Sequence, residues 1–264
     1  MNTGCTTRPY QELDFPRACA AIAAAGFSEV AVYYNASAAG TPAIPVTAQS
    51  TAADVAAARQ AASAAGLTPS LLLGGWQPDL ELAAAIDDYR RLIDNAAALG
   101  ACWLLDLGCD QRELRADYLA LMQAVAPHAE AAGITITLKP HGGIALTAAD
   151  LLALYGTVAH PAFRLCFDPG NFIYYSAGAI RPEDCVDALA PHCATAIIKD
   201  CVLGPGGPDV MVTPGEGLVD FPQIFRQLRA GGFSGPVYLE CVAGNSADDR
   251  DENVRRTRTR ALGW

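Results

Sequence analysis

The chain predicts a (β/α)8 TIM barrel, an α/β fold, on three observations. Short β-branched or Leu-rich runs alternate eight times with longer helical stretches, and strict alternation favours a parallel sheet. The length is 264 residues, the size at which eight such units close into one barrel. No linker or shift in composition divides the chain, so 1–264 reads as a single domain. A doubly wound open sheet would carry a GxGxxG fingerprint after its first strand, and none is present.

The elements follow in order. NTGCTT reads as the first strand, followed by a helix over 15–25 that Gly26 ends. EVAVYY, 29–34, is the second strand. Thr51 caps a helix over 51–65, with Asp54 in the capping-box position and Gly66 behind it. A strand over 67–73, a helix over 80–99 closed by Gly100 and a strand over 101–107 come next. A helix over 113–132 stops at Gly133, and ITITLK, 134–139, is the fifth strand. Thr147 opens a helix, with Asp150 at its third position, that runs to about Tyr155. A strand over 163–168, a helix over 182–189 and a strand over 194–199 lead into a Gly- and Pro-rich loop over 202–217. Such a loop is either an active-site lid or a surface excursion. Asp220 caps a helix to Ala230, 236–240 is the last strand, and a charged helix over 246–262 closes the chain.

Composition narrows the function. Apolar residues make up 52% and charged residues 17%, enough for a large core. The net charge of −10 disfavours nucleic acid as the partner. No apolar run is long enough for a membrane span. The start shows neither a basic n-region nor an apolar h-region, so a cytoplasmic protein is expected. Nine cysteines at irregular spacing, with no CxxC, read as free thiols in a reducing compartment.

Barrel active sites lie at the C-terminal ends of the strands, where side chains alternate between the axis and the helices. In ITITLKPH, Thr135, Thr137, Lys139 and then His141 share the axial parity. In FRLCFD, Arg164, Cys166 and Asp168 face in; in TAIIKD, Thr195, Ile197 and Lys199; in PVYLE, Tyr238 and Glu240. Lys139, Asp168, Lys199 and Glu240 therefore converge on one mouth, and Asp106, above Leu104 and Cys102, is placed beside them. Lysine is rare here: Lys139 and Lys199 are the only two, and Arg fills every other cationic position. A compact ammonium at a strand end suits proton transfer or stabilisation of an enolate. The plainer reading of both lysines is buried ion pairing with Asp168 and Glu240.

FDPGN, IIKD, PGEGLVDF and GPVYLE, in that order, resemble the xylose isomerase-like TIM barrels, among them inosose dehydratase, hydroxypyruvate isomerase and ketose 3-epimerases. That resemblance implies one divalent ion held by a Glu ending strand five, an Asp ending strand six, a His on strand seven and a Glu ending strand eight. Asp168 and Glu240 match the second and fourth positions. Lys139 stands at the first, in LKPH, and Ile197 at the third. Asn171 stands where the family often has a His that contacts substrate. The expectation is thus no metal: Lys139 takes the ion's seat, since an ammonium and a divalent ion compete for the same carboxylates. The competing arrangement holds Mn, Mg or Zn on His141, Asp168 and Glu240, with Asp200 as a further ligand.

The expected activity is isomerisation or epimerisation of a sugar or related polyhydroxylated carbonyl compound through proton abstraction next to the carbonyl. Glu240 is the candidate base, Lys139 the electrophile and Lys199 a second cation. His141, Asp168, Asn171 and Glu216 are candidate substrate-binding residues. Trp76 and Tyr33 are read either as a wall for a sugar face or as packing. His128, His160 and His192 are read as structural. A dehydratase or lyase with a rearranged metal site is the alternative, as is a non-catalytic metabolite-binding barrel. DNA repair of the endonuclease IV type would need a His-rich trinuclear site, and the chain has only 4 His. The partner is a small molecule; apolar barrel helices also commonly form homodimers.

Overall fold

The structure, a computed structural model, describes residues 2–264. Eight parallel strands close into a barrel. They are β1 (Thr3–Thr6), β2 (Glu29–Val32), β3 (Thr68–Leu73), β4 (Trp103–Asp106), β5 (Thr135–Leu138), β6 (Phe163–Phe167) and β7 (Cys193–Ile198). A small hairpin of β8 (Val202–Gly204) and β9 (Gly207–Asp209) then precedes the last barrel strand, β10 (Val237–Leu239). β1 closes the ring: Cys5 registers with Val30 of β2 on one side and with Leu239 of β10 on the other.

The helices are α1 (Phe15–Ala24), α2 (Ala52–Ala64), α3 (Leu82–Leu99), α4 (Arg115–Ala131), α5 (Ala148–Val158), α6 (Pro169–Tyr175), α7 (Val186–Leu189), α8 (Phe221–Ala230) and α9 (Ala247–Ala261). Six of the nine, α1, α2, α5, α6, α8 and α9, start at a short polar side chain that satisfies a first-turn N–H group. Thr51 with Asp54 and Thr147 with Asp150 form the expected capping boxes, and Asp220 caps α8. α8 turns Phe221, Ile224, Phe225 and Leu228 toward the sheet at helical spacing.

Two cores result. The larger lies between strands and helices. The smaller fills the barrel, with Leu71, Leu105, Cys166, Ile197 and Tyr238 among its members. All nine cysteines are free. No helix among the described residues is long and apolar enough to cross a membrane.

Three local expectations differ. α6 springs directly from β6, capped by Asp168, where no helix was expected. The stretch over 182–189 is a 3-10 turn followed by the single turn of α7. α5 runs on to Val158, past the expected stop near Tyr155, and ends where Ala159 turns left-handed at φ 49°. Short Gly- and Pro-containing segments carry no clear period, so packing on neighbours decides their form.

Candidate active site

The parity of β5, β6, β7 and β10 delivers its four charges to one place. Asp168 Oδ2 lies 3.1 Å from Lys139 Nζ and 3.2 Å from Lys199 Nζ. Glu240 accepts Lys139 on Oε2 at 2.8 Å and Lys199 on Oε1. The result is a closed ring of two ammoniums and two carboxylates, all buried. Each charge faces two of opposite sign, and that pairing is what allows four ions to sit out of water.

The electrostatics follow from the ring. Burial alone would raise the affinity of Glu240 for a proton, but Lys139 and Lys199 outweigh it and hold the carboxyl well below the usual range. Burial opposes the charge on Lys199, and Asp168 and Glu240 overcome that, keeping the amine well above its ordinary value. Lys199 is thus a fixed cation and not a free amine for Schiff-base chemistry.

Asn171 anchors this cation. Its Oδ1 accepts from Lys199 Nζ at 3.1 Å, and its Nδ2 donates to the carbonyl of Pro140 at 2.7 Å. Tyr33 packs beside the ring: its hydroxyl donates to Glu240 at 3.4 Å, and its aromatic face lies 5.9 Å from Lys139 Nζ. His141 stands at the rim, with Nε2 2.7 Å from the Tyr175 hydroxyl. A cavity of about 280 Å³ opens over Lys139, Lys199, Glu240, His141 and Arg8. A second, of about 460 Å³, continues past Tyr34 and Trp76 and shares His141, Leu73 and Leu107 with the first. Trp76 also packs edge-on against Tyr118, so it serves both wall and core.

Three candidates fall elsewhere. Asp106 faces the helices, not the mouth: Tyr89 of α3 and Tyr118 of α4 donate to it at 2.7 and 2.8 Å. Trp103, Leu105 and Leu107 take the axial positions of that strand. In CWLLD both parities are apolar, so alternation could not be read there. Glu216 turns away to Arg256 and Arg260 on α9 and contributes nothing to the mouth. Asp200 is buried and accepts from the backbone of Cys201, Gly215, Gly217 and Val219, tying down the 202–217 loop. A Cβ on Gly217 would lie 2.3 Å from Asp200 Oδ1, so the Gly there is what lets the loop close on that carboxylate. His128, His160 and His192 stay remote, bonded to Asp94, to the amide of Ala162 and stacked on Tyr155 respectively.

The reading from sequence missed Arg8, Tyr174 and Tyr175 at the mouth. Arg8 lies two residues past the end of β1, on the side of the barrel where active sites form. The tyrosines ride on α6, which had no periodic signal.

A family model described as xylose isomerase-like TIM barrel matches residues 19–260. The chain belongs to that family. No curated protein matches the sequence significantly. Among solved structures, a xylose isomerase-like TIM barrel protein from Mycobacterium smegmatis in complex with magnesium shares 18% identity at a TM-score of 0.76, over 99% of this chain and 97% of that one. D-psicose 3-epimerase with D-tagatose from Clostridium cellulolyticum H10 shares 15% at 0.73, over 100% and 97%. The probable 3-DHS dehydratase AsbF from Bacillus anthracis shares 14% at 0.72, over 97% and 98%. These likenesses are of fold.

The donor set of this xylose isomerase-like barrel does not fit the ion that the family pattern implies. Ammonium nitrogens already occupy both carboxylates, and Ile197 offers no lone pair. Among the described residues no three His, Cys, Asp or Glu side chains converge as metal ligands.

Two predictions test this geometry. A Cβ on Gly170 would lie 2.7 Å from Lys199 Cγ and 2.8 Å from the Lys199 carbonyl. Gly170→Ala is expected to displace Lys199 from the ring and to cost about 1–3 kcal/mol of stability, the scale of overpacking a filled site; denaturant melts against wild type check it. His141 supplies the second. Burial, then Lys139 and Lys199, lower it from the ordinary 6.5 to about 3. Between those values the unfolded chain binds a proton that the native state refuses, so stability present at pH 7 declines as pH falls below 6.5. Thermal melts from pH 7 to about pH 5, above most carboxylate titration, should show a smaller fall for His141→Gln than for wild type. Equal slopes would contradict the burial of a neutral imidazole.

Proposed function

We propose that this barrel is an isomerase or epimerase of a sugar or related polyhydroxylated carbonyl compound, in which Lys139 replaces the divalent ion. The observation that carries the reading is the ammonium of Lys139 between Asp168 and Glu240, on the floor of the mouth cavity. The structural likeness to a D-psicose 3-epimerase and to 3-keto-D-glucoside 4-epimerase from E. coli supports the substrate class.

In this reading the substrate carbonyl oxygen accepts hydrogen bonds from Lys139 and Lys199. The proton on the adjacent carbon passes to Glu240, and the electron pair moves onto the oxygen as an enediolate. Its negative charge meets ammoniums already in place, which need no reorganisation. Glu240 is a weak base at rest. As charge grows on the substrate oxygen, the hold of the ammoniums on the carboxylate is offset and its proton affinity rises. Return of the proton from Glu240 to the neighbouring carbon completes isomerisation; epimerisation requires the enediolate to turn its other face to Glu240 before the same proton returns, and either route regenerates the carboxylate. Neutral His141 hydrogen-bonds a substrate hydroxyl; Asn171 positions Lys199. Asp168 holds both lysines.

Heavy-water incubation with a panel of ketoses, aldoses and sugar acids tests the step. Deuterium should enter at the carbon next to the carbonyl, by NMR, and Glu240→Gln should abolish it. Elimination, favoured by the likeness to the probable dehydratase, begins with the same abstraction and is recognised by loss of water in the mass spectrum. Ligand binding without any exchange would make the chain a non-catalytic barrel and overturn the proposal.

A further inference from the structure

The mouth holds one positive charge more than its ring accounts for. Lys139 and Lys199 are balanced by Asp168 and Glu240. Arg8 lines the same cavity from the short 3-10 turn Arg8–Tyr10 that follows β1. Its side chain bonds the neutral amide oxygen of Gln11, and among the described residues no carboxylate comes within ion-pair distance of it. It is part-buried, in a chain whose net charge is −10. Acidic partners are plentiful elsewhere: Glu216 takes two arginines, and Glu12 pairs with Arg250 near the same strand end. Arg115, Arg164 and Arg258 are also half-buried without a carboxylate partner, but of these four arginines Arg8 is the one that lines the mouth cavity, where an incoming anion can reach it. Arg8 lines the cavity together with Glu240 and Cys241. Burial pushes the Cys241 thiol up to about 11 against the opposing pull of Lys199 and, more weakly, Arg8.

We infer that Arg8 anchors a carboxylate of the substrate, so that the substrate is a sugar acid and not a neutral sugar. This rests on the mouth being the substrate site, as proposed above. The planar guanidinium fork matches a carboxylate with two parallel hydrogen bonds. One unbalanced cation suits one negative charge. A phosphate dianion would call for more than one unbalanced cation, and the turn that carries Arg8 spans only three residues. The placement is also suitable for two-point binding. β1 neighbours β10, which leads to Glu240, while Lys139 follows β5 across the ring. A short acid can thus be held at one end by Arg8 with its reacting carbonyl over Lys139.

Calorimetric titration with D-glucuronate, D-glucose and D-glucose 6-phosphate tests the assignment without requiring turnover. D-glucuronate should bind at least about tenfold tighter than D-glucose, the scale of one charge-assisted hydrogen-bonded pair. Arg8→Gln should erase that gap, and Arg8→Lys, which keeps the charge but not the fork, should retain part of it. Equal affinities in wild type, a gap that survives Arg8→Gln, or no glucuronate binding at about 10 mM would overturn the inference. A phosphate preference lost in Arg8→Gln would overturn the carboxylate in favour of a phosphate. The Arg8-dependent gap without deuterium exchange on any acid would leave this inference standing and sink the catalytic reading. Exchange on neutral sugars alone, with no gap, would do the reverse.

Discussion

Lys139→Met is expected to lower turnover by about 10²–10³-fold, the effect of removing one preorganised donor from a developing oxyanion. The side chain is 2% exposed and shares both carboxylates of the ring. Met has nearly the same length and no charge, so the loss reports the ammonium and not the volume. The fold should suffer as well. Asp168 and Glu240 would face Lys199 alone, and leaving a buried charge uncompensated costs about 3–5 kcal/mol. The two effects separate by experiment: denaturant melts give the stability, and kinetics at low temperature on the folded fraction give the turnover. Lys139→Ala opens a hole that methylammonium can enter, so added methylamine should restore part of the lost rate. Full turnover in Lys139→Met would remove Lys139 from the chemistry.

The second large effect is a gain. Lys139→Glu combined with Ile197→His rebuilds the ligand pattern that the family resemblance implies, around the Asp168 and Glu240 already present. Without metal this variant concentrates three carboxylates on Lys199 and should melt well below wild type. Added Mn²⁺ should reverse that. Binding to the native state alone stabilises by about 2.7 kcal/mol at a hundred times the dissociation constant. Elemental analysis after dialysis should find one Mn per chain in the double variant and a substoichiometric amount in wild type. Equal Mn in wild type and double variant would show that an ion and Lys139 do not compete for one seat.

Much of this site was legible before any fold was known, for a simple reason. Strands bury every second residue on each face, so ITITLK, FRLCFD, TAIIKD and PVYLE declare their orientation by alternation, and their terminal charges had to point the same way. Where alternation lapsed, the reading lapsed too. Leu104 and Leu105 are both apolar, so alternation leaves the face of Asp106 open, and Tyr89 and Tyr118 hold it toward the helices. Glu216 lies on a loop, where no period exists, and Arg256 and Arg260 from a distant helix decide its direction.

The barrel, its eight units and the meeting of Lys139, Asp168, Lys199 and Glu240 are thus encoded locally, in hydrophobic period and helix caps. Contacts between segments far apart in the chain settled the remainder: Asp200 spent on backbone amides, Asn171 spent on Lys199, α6 bringing Tyr175 to His141, and Arg8 left facing the cavity without a counter-ion. Each of these depends on which polar group arrives first within about 3 Å of another, and that is a property of the closed ring in three dimensions.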